Sequence, residues 1–411
     1  MTTIEEVLAE CKRVVDHPYE EIDKHIANGK KVIGVMPYYI PEELVYAAGA
    51  IPFGVWGCRG TASEAQKYFP PFYCSICQMT LEMGLTHKLD KLSAIMITGL
   101  CDTLKAMSQN WKAGVSQVPM IYVSQPQNRF IDAGLEYTEA SYRQVARKVE
   151  ECAHGIIDDL NLHAAIALYN KWRAEMRRFV ELAGSHPAQV SVEARTWVVD
   201  AGYYMDKAEH LELVRKLNDA LAAKPQSQDG FCRVVVSGVY GDIPAISKIL
   251  DANKIDVVAD DIAKESRAFA VRVSEDGDPI KALAAAWCAV SGDSIAFDPE
   301  KTHIDKVVDM VKDFNAQGVV VLRAKFCDPE EFDSPLIEEE CKKLGVPCVV
   351  IEIDQSTESY EQARSLKVRT QGTDTRSISW RKQKSRKADS ITPFSLSRRA
   401  SPSRASHAPS C

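Results

Sequence analysis

Cysteine is the residue type with the widest capacity for chemistry in this sequence. The 411 residues include 12 cysteines, which are scattered along the chain and are not packed into one short segment. Because this pattern is unlike a small disulfide scaffold, we expect free thiols, and those that act are expected to be metal ligands or reactive groups. Free cysteine also packs as a small hydrophobic residue. Most of the 12 are therefore predicted to be core residues.

Two of the cysteines directly follow predicted strands. The segment SAIMITG at residues 93–99 leads to Cys101, the segment GVVVLRAKF at residues 318–326 leads to Cys327, and an aspartate follows each cysteine. Ligands of open α/β sheets bind beyond the carboxyl ends of the strands. The residues after each Cys-Asp pair have the pattern of a helix start, where backbone N–H groups favour a thiolate. Cys101 and Cys327 are therefore candidate site residues.

A third candidate is Cys74, in the segment PPFYCSIC at residues 70–77. The two prolines end any preceding helix, which leaves this thiol at the start of the next one. Cys77 completes a C-x-x-C pair with Cys74. Because thioredoxin-type, zinc and iron–sulfur sites all use this spacing, the pair alone does not select among them. A zinc ribbon would need a second such pair, and the sequence contains none.

Most of the other cysteines are predicted to be structural. Cys341 lies in a helical pattern and Cys348 in an apolar strand, so both are assigned to the core. The sequence has no G-x-x-x-x-G-K-[ST] motif for ATP hydrolysis, and neither G-x-G-x-x-G nor G-x-S-x-G occurs. The nine histidines show no H-x-x-x-H pairing. No catalytic residue is assigned from the sequence.

The elements that would position these thiols follow an α/β plan. Apolar strands alternate with helices in two parts of the chain, and long amphipathic helical stretches separate the two parts. This pattern predicts two parallel-sheet α/β domains joined by a helical connecting layer. Strands are expected at residues 31–36, 51–56, 91–99, 233–238, 255–259, 318–323 and 346–352. The predicted divisions are 1–136 (first α/β domain), 137–228 (helical connector), 229–365 (second α/β domain) and 366–411 (C-terminal tail).

Charge is distributed unevenly along the chain. The net charge is −7, yet residues 366–411 contain 11 Lys/Arg against 2 Asp/Glu and show no hydrophobic periodicity. Such a segment buries too little apolar surface to fold, so the tail is predicted to be disordered, an appendage and not a nucleic-acid-binding arm. The N-terminus is acidic, and no apolar run approaches the roughly 20 residues of a membrane span. We therefore expect a cytoplasmic protein with no nucleic-acid or membrane partner.

Four segments together resemble one protein family. In chain order they are PYYIPEELVYAAGAIPFGVWG, YCSICQMTLEMGL, KLSAIMITGLCDTLKAMSQNW and LRAKFCDPEEFDSPLIEEECKKLGVPCVVIEID. Over residues 1–365 the chain resembles the 2-hydroxyacyl-CoA dehydratase family, and within it the beta-type subunits.

The resemblance implies a cofactor and its ligands. Members of the family have two flavodoxin-like α/β domains with a 4Fe–4S cluster between them, held by three cysteines so that one iron lacks a protein thiolate. By motif, the ligands in this sequence are Cys74 in YCSIC, Cys101 in GLCDT and Cys327 in KFCDP. Cys77 is the alternative to Cys74, because it lies one helical turn away.

The resemblance also implies partners and a reaction. An alpha-type subunit with its own cluster completes a heterodimer, and a separate ATP-hydrolysing iron–sulfur activator protein supplies one electron. The substrate is a 2-hydroxyacyl-CoA, which loses water by syn- or anti-elimination through a ketyl radical anion and becomes a 2-enoyl-CoA. Because the substrate is associated with the alpha-type cluster, the cluster of this chain is interpreted as an electron relay.

Two other interpretations stay open. A benzoyl-CoA reductase-type subunit has the same architecture but reduces an aromatic ring, and a two-domain α/β binding protein with structural cysteines would not be an enzyme. The tail departs from the family, whose members usually end in an amphipathic helix. Here the pattern is lost near Ser365, as a shifted reading frame would cause, and this predicts impaired assembly with the alpha-type subunit.

Overall fold

Four short strands near the N-terminus form the first of two parallel sheets. In this computed structural model, residues 3–36, 39–226, 230–357 and 360 are described, together with the backbone of 367–371 and 375–379. The strands are β1 (Val32–Met36), β2 (Ile51–Gly54), β3 (Ala94–Thr98) and β4 (Met120–Val123), in the order β2-β1-β3-β4 and all parallel. The first three are buried along their whole length, which explains their continuous apolar runs.

The second sheet repeats this plan. Its strands are β5 (Cys232–Gly238), β6 (Ile255–Ile262), β7 (Gly318–Ala324) and β8 (Cys348–Ile353), in the order β6-β5-β7-β8 and again all parallel. When the strands are numbered within their own sheet, both sheets have the order 2-1-3-4. This is the beginning of the flavodoxin-like doubly wound order. The prediction of two parallel-sheet α/β units is therefore confirmed.

Thirteen helices surround the sheets in the described part of the chain. They are α1 (Ile4–Asp16), α2 (Pro18–Ala27), α3 (Glu42–Ala47), α4 (Ser75–Leu85), α5 (Asp102–Gly114), α6 (Asp132–Ala153), α7 (Asp159–Ser185), α8 (Val192–Tyr204), α9 (Lys207–Ala222), α10 (Pro244–Ala252), α11 (Pro279–Cys288), α12 (Thr302–Asp313) and α13 (Asp328–Leu344). Side-chain caps fix several starts, for example Asp158 before α7 and Asp206 before α9. Among the described residues, no helix has the length and apolar character needed to cross a membrane.

The helical layer predicted between the sheets is present as α6 to α9. Helix α7 packs against α3 on the side of the first sheet and against β6 of the second sheet. A Cβ atom at Gly184 would lie 2.9 Å from Cα of Val258, so only glycine allows this close approach of α7 to β6. One hydrophobic core runs through both sheets and this layer, and it includes Val32, Phe179 and Val234. The divisions after residues 136, 228 and 365 remain a prediction.

Two elements differ from what the sequence predicted. Strand β4 has no counterpart among the predicted strands, although its four residues, Met-Ile-Tyr-Val, are all apolar and it is as long as β2, which was predicted. In the tail, β9 (Lys367–Gln371) and β10 (Thr375–Ser379) pair as an antiparallel hairpin. The expectation of disorder is wrong for these ten residues, in which Val, Thr and Ile alternate with polar residues as in a strand. The rest of the predicted tail lies outside the described residues.

Candidate metal centre

The three candidate cysteines occupy the same structural position in three different helices. Cys74 is the N-cap residue of α4, Cys101 that of α5 and Cys327 that of α13. Cys101 and Cys327 each lie three residues beyond the last residue of a central strand, β3 and β7 respectively. The sequence-based placement of both thiols after a strand and before a helix is confirmed. The helix start predicted after Cys74 is also present.

Local sequence explains how the chain makes these turns. Phe326, immediately before Cys327, has a positive φ of 62°, and Pro329 lies in the first turn of α13, where its missing N–H is not needed. Before Cys101, a Cβ atom at Gly99 would lie 1.9 Å from the hydroxyl of Tyr122. Glycine is therefore required at this position if the Tyr122 side chain keeps its place on β4.

The fold brings Cys74, Cys77, Cys101 and Cys327 into one neighbourhood. The thiols of Cys74 and Cys77 interact directly with each other. Charge on Cys74 acts on both Cys101 and Cys327, and charge on Cys101 also acts on Cys327. Three of these thiols come from separate helix starts, two in the part of the chain that forms the first sheet and one in the part that forms the second. The set therefore exists only once both sheets have formed.

The surroundings of the sulfur atoms set their protonation. The hydrogen bond from Cys77 lowers the pKa of Cys74, and backbone N–H groups at the start of α4 act in the same direction. Burial raises the pKa of Cys101 to about 12, against hydrogen bonds from the N–H groups of Thr103 and Leu104. Burial also raises the pKa of Cys327, and the Glu330 carboxylate adds to this effect.

This donor set fits a multi-iron cluster. A bound metal replaces thiol protons, so thiols that burial keeps protonated can still become ligands once the metal is present. Each sulfur faces the N-terminus of a helix, whose N–H groups stabilise thiolate charge. Within the described ranges, no group of three or more His, Cys, Asp or Glu residues could hold a single metal ion. An iron–sulfur cluster binds each thiolate at a different iron, so its ligands are spread more widely.

Cys77 differs from the other three thiols in this neighbourhood. It lies within the first turn of α4 and is 2% exposed. Its hydrogen bond to Cys74, followed by burial, raises its pKa well above the usual value. The Cys77 thiol is therefore kept protonated beside Cys74.

A buried charged cluster next to this centre was not foreseen from the sequence. Arg267 donates to Asp261 at 2.9 Å and to Asp293 at 3.3 Å. His303 lies between Asp261 (2.7 Å) and Asp333 (3.0 Å). The available signal was an Asp-Asp pair at the carboxyl end of the predicted strand at residues 255–259, where polar residues mark sites.

Glu330 connects the charged cluster to the thiols. Its side chain is buried, one carboxylate oxygen accepts a hydrogen bond from Ser294 at 3.2 Å, and the other has no hydrogen-bond partner among the described residues. Burial raises the pKa of this carboxyl, while Arg267 opposes the shift. Glu330 is the last residue of the Cys-Asp-Pro-Glu segment, so its position in the sequence already placed it near Cys327.

The cysteines assigned to the core behave as expected. Cys11, Cys232 and Cys341 are fully buried. Cys348 is half-buried at the start of β8, and the thiols of Cys341 and Cys348 are hydrogen-bonded to each other. Both of these thiols pack in a hydrophobic cluster on the second sheet, which is consistent with a packing role.

Comparison with known proteins gives the family of the chain. Residues 37–369 match the family described as 2-hydroxyglutaryl-CoA dehydratase, D-component. The (R)-phenyllactyl-CoA dehydratase beta subunit of Clostridium sporogenes is 40% identical over 367 residues, which are 89% of this chain and 98% of the relative. The beta subunit of (R)-2-hydroxyglutaryl-CoA dehydratase from Acidaminococcus fermentans is 41% identical over 369 residues, which are 88% of this chain and 97% of the relative.

A more distant relative corresponds to one of the interpretations left open by the sequence. A benzoyl-CoA reductase subunit of Thauera aromatica is 26% identical over 374 residues, which are 87% of this chain and 95% of the relative. The two dehydratase beta subunits are clearly more similar over nearly the same length. By its match over most of its length, this chain belongs to the 2-hydroxyglutaryl-CoA dehydratase D-component family.

Proposed function

We propose that this chain is the beta-type subunit of a 2-hydroxyacyl-CoA dehydratase and that Cys74, Cys101 and Cys327 hold a 4Fe–4S cluster. The observation that carries the proposal is the convergence of three N-cap cysteines from both halves of the fold in one buried neighbourhood. Packing alone does not require a thiol at the start of three separate helices. A cluster does, because it needs thiolates that the protein stabilises from several directions.

Cys74 is proposed as the ligand in preference to Cys77. Cys74 is the N-cap residue of α4, the position that Cys101 and Cys327 hold on α5 and α13, whereas Cys77 lies inside the first turn of α4 and is 2% exposed. N–H groups at a helix start stabilise the charge of a thiolate. With three thiolates from the protein, one iron is left without a cysteine ligand.

The protein residues around the cluster would adjust its affinity for an electron. When bound, the cluster supplies reversible storage of one electron at low potential. N–H groups at the helix starts stabilise negative charge on the sulfurs, burial restricts water, and the Glu330 side chain places an acidic group beside Cys327. Hydrogen bonds, net charge and solvent exposure are the features that set cluster potentials.

The partners follow from the names of the relatives. Both similar dehydratase chains are beta subunits, so we infer an alpha-type subunit that forms a heterodimer with this chain. The electron would come from an ATP-hydrolysing iron–sulfur activator protein, and the substrate would be a 2-hydroxyacyl-CoA. Large apolar side chains are exposed close to the proposed ligands in sequence, namely Phe72 (65%) and Phe332 (74%). Exposed aromatic groups of this kind are typical of contact surfaces for other proteins.

Anaerobic purification followed by iron and sulfide analysis tests the cofactor. A brown protein with about four iron and four sulfide per chain is expected. A colourless, iron-free protein would remove this proposal and favour a binding protein with structural cysteines. Air exposure of the loaded protein provides the control, since it should bleach the colour and release iron.

An activity assay tests the reaction. The chain is combined with its alpha-type partner and activator, ATP and a reductant, and supplied separately with phenyllactyl-CoA, 2-hydroxyglutaryl-CoA, lactoyl-CoA and benzoyl-CoA. Formation of a 2-enoyl-CoA from at least one hydroxyacyl thioester is expected, and omission of this chain should abolish it. Ring reduction of benzoyl-CoA without any dehydration would instead identify a benzoyl-CoA reductase-type subunit, the alternative that the 26% identical relative represents.

A further inference from the structure

A cavity of about 110 Å³ lies between the first sheet and the segment that follows β6. Its walls are largely aromatic and include Tyr39, Tyr142, Trp172 and Trp287, while none of the four central cysteines lines it. Helices α6, α7 and α11 each contribute to the walls. The cavity is therefore a separate feature from the proposed cluster site.

The charged groups that line this cavity are paired with other protein groups. Glu43 accepts from Arg173 at 2.5 Å, Glu42 lies 3.2 Å from the buried Lys207, and Arg267 is engaged by Asp261 and Asp293. These pairs already balance the charges of the lining. A carboxylate ligand would lose its hydration on entering the cavity and would find the lining cations already paired, which disfavours its binding. The cavity therefore favours the binding of a neutral ligand over a charged one.

The indole N–H of Trp287 is a buried donor in this wall. Trp287 is 4% exposed, and its Nε1 has no hydrogen-bond partner among the described residues. The ring is held in place by Tyr39, with ring centroids 5.0 Å apart, and by the guanidinium of Arg129, 5.2 Å from the ring centroid. In contrast, Trp172 in the same wall donates its Nε1 hydrogen to His210 at 2.9 Å. An unsatisfied buried donor is costly, so a partner is expected.

We propose that this cavity binds a small, neutral, carbonyl-bearing molecule whose oxygen accepts a hydrogen bond from Nε1 of Trp287. The volume is below the roughly 150 Å³ of an apolar cavity that binds benzene, so the cavity holds about five non-hydrogen atoms of a ligand. Short aliphatic ketones and primary amides have this size and one strong acceptor.

The proposal is tested on the full chain by NMR of the tryptophan indole groups. The protein has six tryptophans, and Trp287→Phe and Trp172→Phe variants assign the two indole signals of interest. The probes are 2-butanone, the anion propionate and the hydrocarbon cyclopentane, each with five non-hydrogen atoms. Titration with 2-butanone is expected to move the Trp287 indole proton downfield in a saturable way. The Trp172 proton is the internal control and should move much less, since its N–H is already bonded to His210.

A second measurement gives the contribution of the Trp287 hydrogen bond to the binding affinity. Saturation-transfer NMR observed on 2-butanone should show about tenfold weaker binding to Trp287→Phe than to the unchanged protein, the effect of one hydrogen bond. Propionate should bind more weakly than 2-butanone, because the cations that line the cavity are already paired and cannot offset the lost hydration of its carboxylate.

Several results would overturn the proposal. They are an unshifted Trp287 signal at saturating 2-butanone, equal affinity for cyclopentane, or a crystal structure in which an ordered water keeps Nε1 of Trp287 after soaking with 2-butanone. The site does not depend on the proposed dehydratase function, and the experiment uses neither partner nor substrate. Iron analysis of the same sample reports on the cluster separately, so failure of one proposal is distinguishable from failure of the other.

Discussion

The four central cysteines differ in what surrounds each sulfur atom, although the residue type is the same. Three of them are the N-cap residues of their helices. Cys77 instead lies within the first turn of α4, next to Cys74. Cys341 lies inside α13, away from its start, and packs in the core beside Cys348. We therefore propose that the N-cap position distinguishes the ligands from the structural cysteines.

Replacement of the two strand-end cysteines should remove the cluster. Cys101→Ala and Cys327→Ala are each expected to lose most of the bound iron under anaerobic purification, because one thiolate of three is gone. Cys341→Ala is the matched control, which should cost about 1 kcal/mol in stability as a small cavity but keep its iron. Iron content per chain is the measurement. Full iron and full activity in either of the first two variants would refute the assignment.

The C-x-x-C pair should respond asymmetrically to serine. Cys74→Ser is expected to lose iron, because a serine hydroxyl is a poor substitute for a thiolate. Cys77→Ser keeps a hydrogen-bond donor next to Cys74 and is expected to retain the cluster. The two variants are purified in parallel and compared for iron and for the visible absorption of the cluster. Equal loss in both would point to a fourth thiolate ligand.

At the scale of secondary-structure elements, the same arrangement occurs twice, namely a turn between a parallel strand and the helix that follows it. β3 leads to α5 and β7 leads to α13, and both turns present a cysteine at the carboxyl edge of a sheet. Because β3 and β7 belong to different sheets, Cys101 and Cys327 come close only when the carboxyl ends of both strands lie near the same place in the folded chain. Gly99 is the position where the geometry of one turn is most tightly limited by a neighbouring strand.

Gly99→Ala tests how tightly Tyr122 limits the turn that carries Cys101. Its Cβ atom would lie 1.9 Å from the Tyr122 hydroxyl, so either that side chain or the turn must move. Because this hydroxyl is the end of a half-exposed side chain, we expect a loss of only about 0.5 to 1.5 kcal/mol in unfolding free energy, the cost of a distorted rotamer, together with somewhat reduced iron retention. The double variant Gly99→Ala/Tyr122→Phe removes the clashing oxygen and should recover part of both losses, while Tyr122→Phe alone changes little. Absence of any recovery would show that the hydroxyl is not the limiting contact.

At the scale of the whole molecule, buried ion pairs connect the second sheet to helices α12 and α13. His303 on α12 bridges Asp261 on β6 and Asp333 on α13, so three elements depend on one imidazole. Burial by itself would lower the pKa of His303, but the hydrogen bonds to the two carboxylates outweigh it and raise the pKa. The folded state therefore holds a protonated histidine more tightly than the unfolded chain does.

This linkage predicts how stability depends on pH. Because the folded pKa of His303 is raised, its stabilising contribution is complete below the unfolded value of about 6.5 and declines as the pH rises through the folded value. His303→Gln should therefore cost most near pH ~6, on the order of 3 kcal/mol, and less near pH ~9. Urea unfolding at both pH values measures the difference. The control is His87→Gln, which replaces an exposed histidine. An equal loss of unfolding free energy for His303→Gln at both pH values would contradict the linkage.

The sequence alone determined the class of fold and the candidate residues. Continuous apolar runs of about five to eight residues bounded by helical patterns predict buried parallel strands, because such strands are covered on both faces. The Cys-Asp pairs after two of these runs identified Cys101 and Cys327, since the carboxyl end of a strand is visible in sequence. The two prolines before Cys74 placed this thiol at a helix start, and the family resemblance assigned it as a ligand with Cys77 as the alternative.

Tertiary structure decided everything that depends on contacts between distant segments. The meeting of Cys74, Cys101 and Cys327 requires the strand order of both sheets, which no local pattern specifies. The charges around His303 and the surroundings of the Trp287 indole are likewise set by the folded chain. The physical reason is that hydrophobic periodicity records only whether a residue faces the core. Hydrogen bonding, desolvation and charge act between particular atoms, and only the folded chain brings those atoms together.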